Sequence, residues 1–95
     1  PYQRFISLIL TGENEKKLEK EAFNLKNFIK NKINGKILGP VNAPIFRIKK
    51  KFRIRLLIRG SKSMKMQNSL AKIIPKYKFF KGIKLSVDVD PINFN

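Results

Sequence analysis

Apolar and polar positions along the chain alternate, then repeat at helical spacing, then alternate again. Phe5–Leu10 is a short aliphatic and aromatic run that stops at Thr11-Gly12. That is the profile of a buried strand, with Ile6, Leu8 and Leu10 as the better core face. Leu18, Ala22, Leu25, Ile29 and Ile33 follow at steps of four, three, four and four, which makes one apolar stripe of an amphipathic helix. Asn14 is placed to cap that helix, with Glu13 and Glu15 near its positive end. Asn34-Gly35 is expected to end it, Gly35 taking the left-handed conformation of a helix C-terminus.

The next stretch changes character. Lys36-Ile37-Leu38 runs into Gly39-Pro40-Val41-Asn42-Ala43-Pro44, and two prolines with a glycine predict an ordered bend or extended segment. A short strand is expected over Ile45–Lys49, with Lys49-Lys50-Lys51 as a turn or tip. Phe52–Arg59 is the clearest strand: Phe52, Ile54, Leu56 and Ile58 alternate with Arg53, Arg55, Leu57 and Arg59. After Gly60, Ser61 or Ser63 is placed to cap a second helix, with Met66, Leu70, Ile73 and Ile74 on its buried side and Pro75 stopping it. Lys76–Gly82 is a basic, aromatic connector. Ile83, Leu85, Val87 and Val89 then alternate with Lys84, Ser86, Asp88 and Asp90, and this last strand ends at Pro91.

Strand, helix, strand, strand, helix, strand is the α+β, split βαβ or ferredoxin-like plan, βαββαβ, in two layers. Both helices are expected on one sheet face, with the other face open. No flexible linker divides the 95 residues, so residues 1–95 are read as one domain. Pro1 in place of Met leads us to expect a piece of a longer chain. A domain of this size buries only about 60–65% of its unfolded surface and has little room for a deep catalytic cleft.

Charge sharpens this picture. The chain carries 22 Lys+Arg against 6 Asp+Glu, a formal net charge of +16, which attracts polyanions over a long range. Nucleic acid is the obvious polyanion. Lys outnumbers Arg, and Ile and Asn are abundant, as an AT-rich genome imposes on any protein, so the arginines carry the stronger signal. There is no Cys and no His, which excludes disulfides, Cys nucleophiles and the usual zinc sites and removes the commonest acid–base group near neutral pH. No apolar stretch approaches the roughly 18 residues that span a bilayer, no signal-peptide pattern opens the chain, and a cytoplasmic, membrane-free protein is expected.

Four constellations stand out. Arg47, Lys49, Lys50, Lys51, Arg53, Arg55 and Arg59 put seven cations into thirteen residues. Strand alternation sets Arg53, Arg55 and Arg59 on one face, neighbours two residues on lying about 6–7 Å apart, near the repeat of phosphates along a stretched single strand. We read this row as a phosphate contact, the alternative being a solvated sheet face. Lys62, Lys65 and Gln67 open the second helix, where backbone N–H groups and lysines can hold an anion or a partner's carboxylates; an ordinary helix start explains them as well. Gly60-Ser61-Lys62-Ser63 is not a phosphate loop, because the required spacing of a second glycine is missing. Tyr77, Phe79 and Phe80, interleaved with Lys76, Lys78 and Lys81, suit packing between helix and sheet, with stacking of unpaired bases as the alternative. Asp88 and Asp90 share the outward face of the last strand and are read as ion-pairing and turn-forming groups before Pro91, not as a metal or acid–base pair.

Two blocks carry a family resemblance. Ile37-Leu38-Gly39-Pro40-Val41-Asn42-Ala43-Pro44, continuing through Arg47, Lys51-Phe52-Arg53 and Leu56-Leu57-Ile58-Arg59, resembles the Leu-Gly-Pro-x-x-Ala-Pro block, basic tip and Phe-Arg strand of the C-terminal domain of primosomal replication-restart helicases, the PriA family. Leu85-Ser86-Val87-Asp88-Val89-Asp90-Pro91 resembles the Asp-Val-Asp-Pro ending of that domain, and Pro1-Tyr2 suits its lead-in. The chain departs from the pattern at Lys50, where Gly is frequent, and at Arg55, where Gln is common.

The resemblance implies a fold like that of a small ribosomal protein of the small subunit and a role in binding branched DNA at stalled forks. It also implies proximity to the docking site of the acidic tail of single-stranded DNA-binding protein, and contact with the other domains of a parent ATP-dependent 3′-5′ helicase. ATP and zinc belong by that resemblance to the parent, and no cofactor or metal is expected in these residues. The expected function is therefore a non-catalytic DNA-binding module. The alternatives are an RNA-binding, ribosome-associated domain and a protein-interaction domain that docks an acidic peptide.

Overall fold

The computed structural model describes residues 4–60 and 63–89, with the side chains of 44–48 and 63 outside that description. The chain runs β1 (Arg4–Gly12), α1 (Glu15–Ile29), β2 (Lys36–Ile48), β3 (Lys51–Gly60), α2 (Ser63–Ile73), a 3-10 turn at Ile74–Lys76, and β4 (Lys84–Val89). The strands form one sheet in the order β2-β3-β1-β4, every neighbouring pair antiparallel. Each helix therefore links two strands across an intervening one, and the architecture is the ferredoxin-like α+β sandwich that the alternation predicts. Among the described residues, no helix is long and apolar enough to cross a membrane.

Register turns alternation into a core. β1 pairs β3 from Arg4↔Gly60 to Gly12↔Phe52, so Ile6, Leu8 and Leu10 lie opposite Ile58, Leu56 and Ile54. All six are buried beneath the helices, together with Leu18, Ala22, Leu25, Ile29 and Ile33 and, from α2, Met66 and Leu70. Burying each large aliphatic side chain contributes about 1.5–3 kcal/mol. Asn14 caps α1 as expected, its side-chain oxygen accepting from the Lys17 N–H at 3.0 Å. Pro75 falls inside the 3-10 turn that closes α2.

Two sequence expectations are corrected. The helix does not run to Asn34-Gly35: α1 ends at Ile29, Lys30 is its cap, and Gly35 does not have a positive φ. The Lys32 N–H bonds to the Ile29 carbonyl at 2.9 Å, tightening the chain into a turn that still delivers Ile33 to the core. An apolar stripe cannot separate a helical residue from a turn residue reaching the same core. The second correction concerns bounds: β2 is a single strand from Lys36 to Ile48, so of the bend or extended segment expected over Gly39–Pro44 the extended alternative holds, and it is continuous with the strand expected separately at Ile45–Lys49. It lies at the sheet edge, where the missing N–H of Pro40 and Pro44 is tolerated. Register shifts against β3 between Leu38 and Val41 and between Asn42 and Arg47 absorb the irregular residues.

Gly39 explains the centre of the Leu-Gly-Pro block. Its φ is +104°, and a Cβ there would lie 2.9 Å from the Arg55 carbonyl oxygen. The Gly39–Pro40 peptide is cis, and Lys26 Nζ on α1 donates to the Gly39 carbonyl at 2.6 Å. The hairpin between β2 and β3 closes at Ile48↔Lys51, leaving Lys49 and Lys50 as a two-residue tip with φ of 50° and 65°. Positive φ at both central residues is the signature of a type I′ turn, whose twist matches the strands it joins. Gly would adopt that conformation at no steric cost, so the Lys50 departure places a charge where the backbone favours glycine.

Candidate nucleic-acid interface

The sheet face opposite the helices carries the arginine row. Arg53 lies opposite Thr11, which lies opposite Lys84 on β4. Arg55 lies between Ile9 of β1 and Val41 of β2, and Arg59 between Phe5 and Lys36. All three arginines are half-buried, and Ile9 is buried although it points away from the helices. Arginine stems laid over the apolar neighbours Ile9, Val41 and Phe5 account for this combination. The Arg55 Nε is buried without an acceptor, an arrangement that costs about 1–3 kcal/mol when nothing compensates it.

Most of the sequence-predicted cations belong to this half of the molecule. Lys49 and Lys50 are exposed at the hairpin tip and Lys51 is half-buried beside them. Arg47 pairs through its backbone with Phe52, and its side chain is outside the described residues. The structure adds Lys36 and Lys84, which the clustering of cations in sequence missed. Finding them requires knowing that β2 and β4 flank β3 and β1, which spacing alone does not carry. Asp88, exposed opposite Ser7, is the acid of this face among the described residues; Asp90 is outside them.

The second-helix set is not brought together. Lys62 lies outside the described residues, as does Ser61. Lys65 is exposed, but it stands two residues from Gln67, about 200° round the helix. Gln67 instead lines an apolar groove of 330 Å³ with Ile6, Leu70, Ala71, Ile74, Pro75, Val87 and Val89. The inner face of β4 is correspondingly half covered: Val87 and Val89 are 46% and 38% exposed.

The basic connector is organised by a residue that sequence reasoning missed. Glu21 on α1 is 1% exposed. Its carboxylate accepts the Tyr77 hydroxyl at 2.5 Å through one oxygen and the Phe80 backbone N–H at 2.5 Å through the other. Burial, and then the Glu21 carboxylate, push the Tyr77 hydroxyl well above its usual pKa. The Tyr77 ring packs on Phe28 at 5.1 Å and on Phe79 at 4.8 Å. Tyr77 and Phe79 are therefore packing residues, while Phe80 is left 42% exposed. The available signal was position: Glu21 sits three residues after Leu18 and four before Leu25, inside the apolar stripe.

The family model described as "Primosomal protein N C-terminal domain" matches residues 1–92. The chain is 34% identical over 94 residues to a replication restart protein PriA of Rickettsia typhi, covering 99% of this chain and 14% of that protein. It is 33% identical, with the same coverage, to the Rickettsia felis protein of that name. It is 29% identical over 96 residues to that of Bacillus subtilis, covering 96% of this chain and 12% of the relative. It thus spans about one-seventh of the length of the Rickettsia relatives, and the match runs through both the Leu-Gly-Pro block and the arginine strand. This chain belongs to the family of primosomal protein N C-terminal domains.

Proposed function

We propose that the domain is a non-catalytic DNA-binding module of a replication-restart helicase, acting in the cytoplasm and gripping phosphates without reading bases. The observation that carries this reading is the row Arg53, Arg55 and Arg59 on one sheet face, flanked by Lys36 and Lys84 and continued by the Lys49-Lys50 tip. On this strand Arg53 and Arg55 lie about 6–7 Å apart and Arg59 roughly twice as far again, spacings of one and two phosphate repeats along a stretched single strand. Arg47 and Lys51 are taken as part of the same surface. The surface is suited to the shape of branched or single-stranded DNA, because backbone contacts fix position and carry no sequence information.

The test is fluorescence anisotropy of the 95-residue chain with a labelled fork, single-stranded DNA and matched RNA, titrated with salt. Neutralising about four phosphates gives a log–log salt slope of roughly −3 to −4. Arg53→Ala with Arg55→Ala is expected to lower affinity and flatten that slope. Salt-insensitive binding, or a preference for RNA over matched DNA, would overturn the reading.

A second reading is favoured by the groove beside Gln67. An apolar groove next to a strongly basic chain suits an acidic peptide with an apolar anchor, such as the tail of single-stranded DNA-binding protein. Isothermal titration with such a peptide is expected to lose affinity in Leu70→Glu, while loss in Arg55→Ala alone would move the peptide to the sheet face.

A further inference from the structure

The connector after α2 combines features that the sheet face lacks. Lys76, Lys78 and Lys81 are exposed along it, and Phe80, itself 42% exposed, lies between the last two. Its backbone is not free to collapse: the Phe80 N–H and the Tyr77 hydroxyl are both held by the buried Glu21 carboxylate. Beneath it, Phe28, Tyr77 and Phe79 form a packed aromatic base. Lys32 Nζ sits 4.2 Å from the Phe28 ring centroid. Lys17 shares a small hollow with Lys81, Gly82 and Ile83, alongside Asn14 and one opposing acid, Glu13. The Glu21 charge is spent on two donors and is buried, so it presents little negative potential at the surface.

We propose that Phe80 is a base-stacking platform for single-stranded DNA, with Lys78, Lys81 and Lys17 holding the flanking phosphates and the Glu21 latch keeping the ring presented. This inference rests on the DNA-binding reading and adds a second contact in the helix layer, away from the arginine face. An aromatic ring among cations binds unpaired bases regardless of sequence, because every base has a π-face, while paired bases are already stacked. A fixed backbone under an exposed ring also reduces the ordering cost of binding. The contact is therefore selective for unpaired strand, whereas the arginine face accepts any phosphate backbone.

The chain has no tryptophan, so Phe80→Trp creates a sole emission reporter. Its emission is expected to be quenched on adding oligo-dT, in step with the anisotropy of the labelled strand. Phe23→Trp is the control: Phe23 is 55% exposed but stands two residues from Glu21, about 200° round α1 and off the connector flank. Its emission is expected to stay unchanged. Phe80→Ala should weaken single-stranded binding about tenfold and duplex binding far less. DNA binding by anisotropy with no change in Phe80→Trp emission overturns the stacking platform and leaves the arginine face standing. No DNA binding by any variant overturns both.

Discussion

The arginine strand and the basic connector carry similar charge but are held in opposite ways. Arg53, Arg55 and Arg59 are spaced by the pleat of β3, so backbone geometry alone puts them on one face. Lys78, Phe80 and Lys81 lie in an irregular segment whose shape depends on one carboxylate reaching across 56 and 59 residues of sequence. A surface on a strand tolerates loss of a single contact, because the ladder keeps its spacing. A surface on a latched connector stands or falls with the latch.

The largest expected effect follows directly. Glu21→Ala leaves the Tyr77 hydroxyl and the Phe80 N–H without their acceptor and should cost about 3 kcal/mol in urea unfolding, since each buried unsatisfied donor costs about 1–3 kcal/mol. Below the unfolding transition, the variant should lose the preference for single strands while keeping salt-dependent phosphate binding. Equal loss of both activities would mean that the two regions are not separately held.

The matching break in the strand half is Gly39→Ala. A side chain at φ +104° with its Cβ 2.9 Å from the Arg55 carbonyl strains the β2–β3 pairing, and a cost of about 2 kcal/mol is expected. In a domain of this size that lowers Tm by roughly 8–16 °C. DNA affinity should fall through displacement of Arg55, with Phe80→Trp quenching preserved in the double variant.

Tyr77→Phe is subtler and has a pH signature. The folded state raises the Tyr77 pKa, so the neutral hydroxyl is the favoured form in the fold. Its contribution is fully present below the unfolded value of about 10 and is lost as pH rises beyond it. Stability of the native chain should therefore fall more steeply above pH ~10 than that of Tyr77→Phe, with the two curves parallel at neutral pH. Curves that stay parallel throughout would remove Tyr77 from the latch.

The smallest effect has the opposite sign. Replacing Lys49-Lys50 with Asn-Gly supplies residues suited to positive φ and should stabilise the hairpin by about 1 kcal/mol. Removing two cations should at the same time flatten the DNA salt slope by roughly 1.4–1.8. Stabilisation without a change in slope would take the tip out of the interface.

Much of this comparison is readable in the sequence on one side only. The alternation of Ile54, Leu56 and Ile58 with arginines predicts the face that carries charge, and the stripe from Leu18 to Ile29 predicts the helix that covers the other. Lys36 and Lys84 escape notice because their nearness to Arg59 and Arg53 depends on strand order, not on spacing. Pro40 and Pro44 leave a bend and an extended segment both open, because local rules treat proline as an interruption, whereas an edge strand accepts it. Glu21 reads as one more surface acid until its two donors are seen to arrive from the far end of the chain.

The sequence by itself determined the order of the elements, the core faces of β1 and β3 and the arginine row, because periods of 2 and 3.6 residues are set by local backbone geometry. Only the tertiary structure decided where α1 stops, how β2 passes two prolines, which lysines join the arginine face, and why Phe80 is exposed while Tyr77 and Phe79 are packed. Those outcomes depend on docking between segments far apart in the chain, where a single buried carboxylate or a backbone carbonyl 2.9 Å from a missing Cβ settles the geometry.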